Sequence, residues 1–155
     1  RKTSSRTAIN GILHQEMDQM ALDMDHIKVV TQLIPTEDQK RDLIFAERIV
    51  KHLKSNAITL IKNSQLIGMG CGQTSRIDAA IQAIDKSRKM GFDPAGSVMA
   101  SEAFFPFPDC VEIAAAAGIK AIIQPGGSVN DGKSITKADE LQVAMVLSGI
   151  RHFKH

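Results

Sequence analysis

The chain has no tryptophan and no tyrosine, and only six phenylalanines and two cysteines among its 155 residues. Two cysteines, Cys71 and Cys110, make no disulfide framework, so a stapled secreted scaffold is not expected and a reducing cytoplasm is the simplest compartment. There is no signal-peptide pattern and no apolar run long enough to span a bilayer, which argues against a membrane partner. Charge is not skewed either. Nineteen basic residues stand against 17 acidic ones, and that balance calls for no nucleic acid. The histidines form no metal pattern such as His-Glu-x-x-His. The His/Cys-x-Glu and Pro-Cys-x-x-Cys segments of zinc deaminases are missing, as are the Gly-x-Ser-x-Gly elbow and the Walker loop. No zinc site is expected. The chain lacks an initiating methionine, and an excerpt from a longer protein is the expectation.

What is present suits one compact domain: 43% of the residues are apolar, too many for disorder. Residues 1–35 read as an irregular connecting segment, with short strand candidates at Gly11–Gln15 and Lys28–Thr31. Thr36 and Gln39 form a capping box, and Leu43, Ile44, Ala46, Ile49, Val50 and Leu53 follow at helical spacing, predicting a helix over 37–54. Ala57–Ile61 and Gln65–Gly70 read as a hairpin turned at Asn63-Ser64, because Asn tolerates positive φ. Ser75 with Asp78, and Asp109 with Glu112, suggest further capping boxes. Helices then alternate with buried strands at 96–100, 119–123 and 143–147. Short helices between buried strands imply parallel crossovers, and the hairpin makes the sheet mixed. The predicted fold is α/β, a three-layer α/β/α sandwich.

The densest chemistry lies in Ser101-Glu102-Ala103-Phe104-Phe105-Pro106-Phe107-Pro108-Asp109. Half of the phenylalanines sit here, and the two prolines stiffen the backbone between them. A rigid aromatic loop with a carboxylate at a strand-to-helix junction suits a flat heterocycle. In an open α/β sheet, ligands bind beyond the carboxyl ends of the parallel strands. Three loops leave from such ends: Gly70–Ser75, Ser101–Asp109 and Gln124–Ser128. Two carry glycines that admit close backbone approach, and Arg76 adds a cation of bidentate geometry. Tight turns and a solvated arginine would explain the same residues.

Five motifs carry a resemblance. They are Lys54-Ser55-Asn56-Ala57-Ile58, Gly70-Cys71-Gly72-Gln73-Thr74-Ser75-Arg76, Ser101 to Phe107, Ile123-Gln124-Pro125-Gly126-Gly127-Ser128, and Arg151-His152-Phe153-Lys154-His155. In this order they resemble the carboxyl end of the bifunctional purine-biosynthesis proteins, which join AICAR transformylase to IMP cyclohydrolase. The resemblance covers essentially the whole chain. It implies formyl transfer from 10-formyltetrahydrofolate to AICAR, a cytidine-deaminase-like fold without zinc over 36–155, and a cytoplasmic homodimer with active sites across its interface.

The resemblance also implies roles. Asn56, Phe104, Asp109 and Arg151 match positions that bind the nucleotide, with Phe104 and Asp109 at its ring and carboxamide and Arg151 at its charged end. Arg76, Ile77, Ser128 and Val129 match the folate pocket. A monovalent cation such as potassium is implied near Ser55 and Glu102. Three residues depart from the family pattern: Cys71 replaces an alanine, Glu102 replaces an aspartate, and no aromatic stands near Glu47. The family's lysine–histidine pair lies in the preceding half, and Lys51-His52 has its letters in another context, so no catalytic residue is expected here. Two other readings stay open: a free-standing nucleotide- or folate-binding module, and a structural dimerisation piece.

Overall fold

A computed structural model describes residues 3–20, 22 and 24–152. The elements run β1 (Thr3–Ala8), β2 (Gly11–Glu16), β3 (Lys28–Val29), α1 (Glu37–Val50), β4 (Ile58–Lys62), β5 (Gln65–Gly70), α2 (Arg76–Lys89), β6 (Val98–Ser101), α3 (Asp109–Ala116), β7 (Ala121–Gln124), α4 (Asp131–Glu140) and β8 (Ala144–Leu147). Six strands form one mixed sheet in the order β3-β8-β7-β6-β4-β5. β6, β7 and β8 are parallel, while β4 runs antiparallel to both of its neighbours and β3 antiparallel to β8. The architecture is the expected three-layer α/β/α arrangement.

Strand alternation decides the layers. Met99, Ile122 and Met145 face a core built with Ala79, Ala83, Val111, Ala114 and Ala138, from α2, α3 and α4. Their neighbours Val98, Ala100, Ala121, Ile123, Ala144 and Val146 face Leu43, Ile44, Ala46 and Val50 of α1. Successive side chains of a strand point to opposite faces, so a strand buried on both sides reads as a continuous apolar run. Among the described residues, α1 is the helix on one face, where Leu22 and Ile150 also pack, and three helices cover the other.

Local chemistry sets the helix starts. At α1 the Gln39 backbone N–H donates to Thr36 Oγ1 at 3.2 Å, and the Thr36 N–H donates to Gln39 Oε1 at 2.9 Å, a complete capping box. At α2 the Asp78 N–H donates to Ser75 Oγ, but the Ser75 hydroxyl donates to Asp78 Oδ2 at 2.6 Å, so only the forward half of a box forms. The box expected at Asp109 and Glu112 does not form. The cap is Pro108, with no side-chain bond, and Asp109 Oδ1 instead accepts from the Cys110 N–H at 2.8 Å.

Other boundaries move as well. α1 ends at Val50 rather than at 54, because His52 and Leu53 donate to carbonyls three residues back and tighten the chain. α4 begins at Asp131, three residues ahead of the expected start. Where an irregular run to residue 35 is expected, Thr3–Ala8 pairs antiparallel with Gly11–Glu16 in a separate two-stranded sheet. Lys28 and Val29 join the main sheet beside Leu147 and Val146, so the sheet begins before residue 36.

Candidate functional site

The register brings five segments to one rim. Ile58 pairs with both Gly70 and Ser101, Ala100 with Ile123, and Gln124 with Leu147. The carboxyl ends of β5, β6, β7 and β8 therefore lie on the edge where β4 begins. The three loops leave from this edge, Asn56 enters it, and the residues after β8 cross it.

A hollow of about 360 Å³ opens there, lined by Asn56, Thr74, Ser75, Arg76, Ala103, Phe104, Pro106 and Arg151. Four of the eight expected site residues thus meet: Asn56, Arg76, Phe104 and Arg151. Ile77, Asp109, Ser128 and Val129 are not among the lining residues. Ile77 packs partly buried against the core face shared with α2. Ser128 Oγ accepts from the Asn130 N–H at 3.1 Å, and Val129 is fully exposed. The glycine loop still touches the aromatic loop, since Asn130 Nδ2 donates to the Pro106 carbonyl at 2.7 Å.

The three loop phenylalanines separate by environment. Phe105 is fully buried and Phe107 is 59% exposed, while half-buried Phe104 lines the hollow. Fully buried Gln124 holds the loop by accepting from the Phe105 N–H at 2.9 Å. The Arg151 guanidinium carbon lies 6.0 Å from the Phe104 ring centroid, a cation–π contact worth about 0.5–1 kcal/mol where solvated. Asn56 donates from Nδ2 to the Gln73 carbonyl at 2.9 Å, which leaves Oδ1 as the atom of this amide suited to accept.

Arg76 is not the solvated helix residue that its position in α2 suggests. It is buried and ion-paired with the fully buried Glu102. Glu102 also accepts from the Ala57 N–H through Oε1 at 3.0 Å. Both carboxylate oxygens of Glu102 are thus engaged within the chain. Arg76 Nε is buried and has no partner among the described residues. Among the described residues, no group of three or more His, Cys, Asp or Glu is placed to hold a metal ion.

The glycines before α2 serve packing first. A Cβ on Gly70 would lie 2.0 Å from the Ala79 carbonyl oxygen, and one on Gly68 2.3 Å from that of Ala83. The helix lies directly on the strand, so Gly70 is required by contact rather than by a ligand. Cys110 is fully buried, and burial, then the Asp109 charge, pushes its thiol up to about 12.

One cluster escaped the sequence reasoning. Buried His152 bonds Glu47 through Nε2 and Asp18 through Nδ1. Burial pushes its pKa down, but the two carboxylates outweigh burial and hold it above the ordinary value. Asp18 mirrors it: burial pushes its carboxyl up, yet the His152 hydrogen bond and charge hold it low. The available signal was Glu47 itself, a carboxylate four residues after Leu43 and three before Val50 on the apolar stripe of α1.

The AICARFT/IMPCHase bienzyme family model matches residues 1–86, and the chain belongs to that family. Bifunctional purine biosynthesis protein PurH of Bacteroides thetaiotaomicron is 53% identical over 154 residues, 99% of this chain and 30% of that protein. PurH of Xylella fastidiosa is 52% identical over 146 residues, 94% of this chain and 28% of that protein. The chain therefore spans about 30% of the length of the curated relatives it matches. Among solved structures, dCMP deaminase from cyanophage S-TIM5 is similar with a TM-score of 0.49 at 17% identity, covering 72% of this chain and 98% of that one. The deaminase/reductase from Thermotoga maritima gives 0.47 at 19% identity, with 72% and 35% covered.

Proposed function

We propose that this chain is the carboxyl-terminal part of the AICAR transformylase region of a bifunctional purine-biosynthesis enzyme. It supplies nucleotide- and folate-facing walls for formyl transfer from 10-formyltetrahydrofolate to AICAR. The observation that carries the reading is the convergence of Asn56, Arg76, Phe104 and Arg151 on one hollow. A flat ring lies on Phe104, a negative group meets Arg151, and the Asn56 amide accepts from a ring substituent. Asp109 stands at the carboxamide end. Arg76, Ile77, Ser128 and Val129 face the folate.

No proton-transfer residue is assigned to this chain, since a general base must lie within hydrogen-bond reach of the amine that it deprotonates. The rest of the bienzyme, and a second copy across a cytoplasmic homodimer interface, complete the site. The test is formyl transfer by this chain alone and by the full-length enzyme carrying it. The expected outcome is turnover only in the full enzyme. Comparable rates from the chain alone would refute the division of labour, and tight nucleotide or folate binding by the chain alone would favour an independent binding module.

A further inference from the structure

The residues after β8 cross the rim in an orientation that the sheet alone does not set. Ser148 and Gly149 donate their N–H groups to the Gln124 and Pro125 carbonyls at 2.9 and 3.1 Å, and His152 donates its own to Glu102 at 2.9 Å. Ile150 packs against the core face that α1 covers, and the His152 ring reaches Glu47 of α1. Arg151, between them, is turned the other way, over Phe104.

His152 is 2% exposed and is held through both ring nitrogens. Its grips come from two distant places: Glu47 on α1, and Asp18 in the segment before β3. Lys51 stands 3.6 Å from Asp18 Oδ1 and steadies that carboxylate. A buried imidazole that loses a partner keeps an unsatisfied polar atom and tends to leave its site. Its neighbour Arg151 would then leave with it.

We infer that Glu47 and Asp18, by gripping His152, are positioning residues that aim Arg151 across the hollow at Phe104. Neither carboxylate touches the hollow, and both act through the tail. The inference rests on the reading that the hollow takes the nucleotide.

The test uses the full-length enzyme carrying this chain, with Glu47→Ala, Glu47→Gln and Arg151→Ala compared. Glu47→Ala is expected to raise KM for the nucleotide about tenfold with kcat within about twofold and the folate KM unchanged, the pattern of lost ground-state binding. Glu47→Gln keeps an acceptor for His152 and is expected to restore most of the affinity. Amide exchange across residues 148–152 is read in parallel and should quicken in Glu47→Ala and not in Arg151→Ala. An unchanged nucleotide KM in Glu47→Ala, beside a raised one in Arg151→Ala, overturns the positioning role. An unchanged KM in Arg151→Ala overturns the reading of the hollow instead, and the exchange data then decide alone whether Glu47 seats the tail.

Discussion

Arg76, the first residue of α2, and Glu102, in the turn after β6, form a buried ion pair beneath the hollow. The pair joins two loops of the rim, and the Ala57 N–H adds the start of β4 to the same carboxylate. The charge that compensates buried Glu102 comes from within the chain.

Breaking this pair should be far worse than replacing it. Glu102→Ala leaves a buried guanidinium uncompensated, at a cost of about 3–5 kcal/mol. Arg76→Met with Glu102→Leu should recover a large part of that loss, because neither buried charge remains. Urea unfolding of Arg76→Met, Glu102→Leu and the double variant measures this. A double variant as unstable as the sum of the singles would mean that the two residues act independently.

Contact between β5 and α2 gives a second prediction. Gly70→Ala forces a methyl against the Ala79 carbonyl and should cost about 1–3 kcal/mol by overpacking. Gly11→Ala has open space around it and is the control, expected within about 0.5 kcal/mol of the parent. Equal unfolding midpoints for the two variants would show that α2 rides higher on the sheet than described.

Features that depend on near neighbours were legible in the sequence. The Thr36–Gln39 box closes over three residues, and the Asn63-Ser64 turn takes positive φ at both positions, 52° and 60°. The order of helices and buried strands followed from apolar runs alone. The failures have different causes. Asp109 resembles a cap, but its side chain finds the Cys110 N–H first. Arg76 looks solvated until β6 brings Glu102 beneath it. Glu47 and His152 are separated by 105 residues, and no local pattern couples them. Thr3–Ala8 is exposed along its whole length and carries no alternating apolar signal, so no local pattern marks β1 as a strand.

The Asp18–His152–Glu47 cluster should make stability depend on pH with a definite sign. The His152 pKa is raised in the folded state, so its contribution is fully present below the unfolded value of about 6.5 and fades as pH rises through the raised value. The Asp18 pKa is lowered, so its contribution is present above about 3.8 and fades as pH falls through the lowered value. His152→Asn should therefore lose most stability relative to the parent between about pH 4 and 6.5, with the gap closing at higher pH. Thermal midpoints of both proteins across this range provide the check, and a constant gap up to about pH 9 would remove the charged cluster as its source.

The aromatic loop allows a prediction with its own controls, because its three phenylalanines occupy three environments. Phe105→Ala empties a fully buried position and should cost about 3–5 kcal/mol of folding stability. Phe107→Ala removes an exposed ring that does not line the hollow, and should change neither stability nor affinity appreciably. Phe104→Ala removes the flat wall of the hollow and the partner of Arg151. In the full-length enzyme it should weaken nucleotide binding about three- to tenfold, the range expected for losing one aromatic contact, with little effect on the unfolding midpoint. Calorimetric titration of the nucleotide, paired with thermal melts of the same three variants, separates the cases. If Phe107→Ala weakened binding as much as Phe104→Ala, the ligand would have to lie outside the hollow, along the exposed edge of the loop.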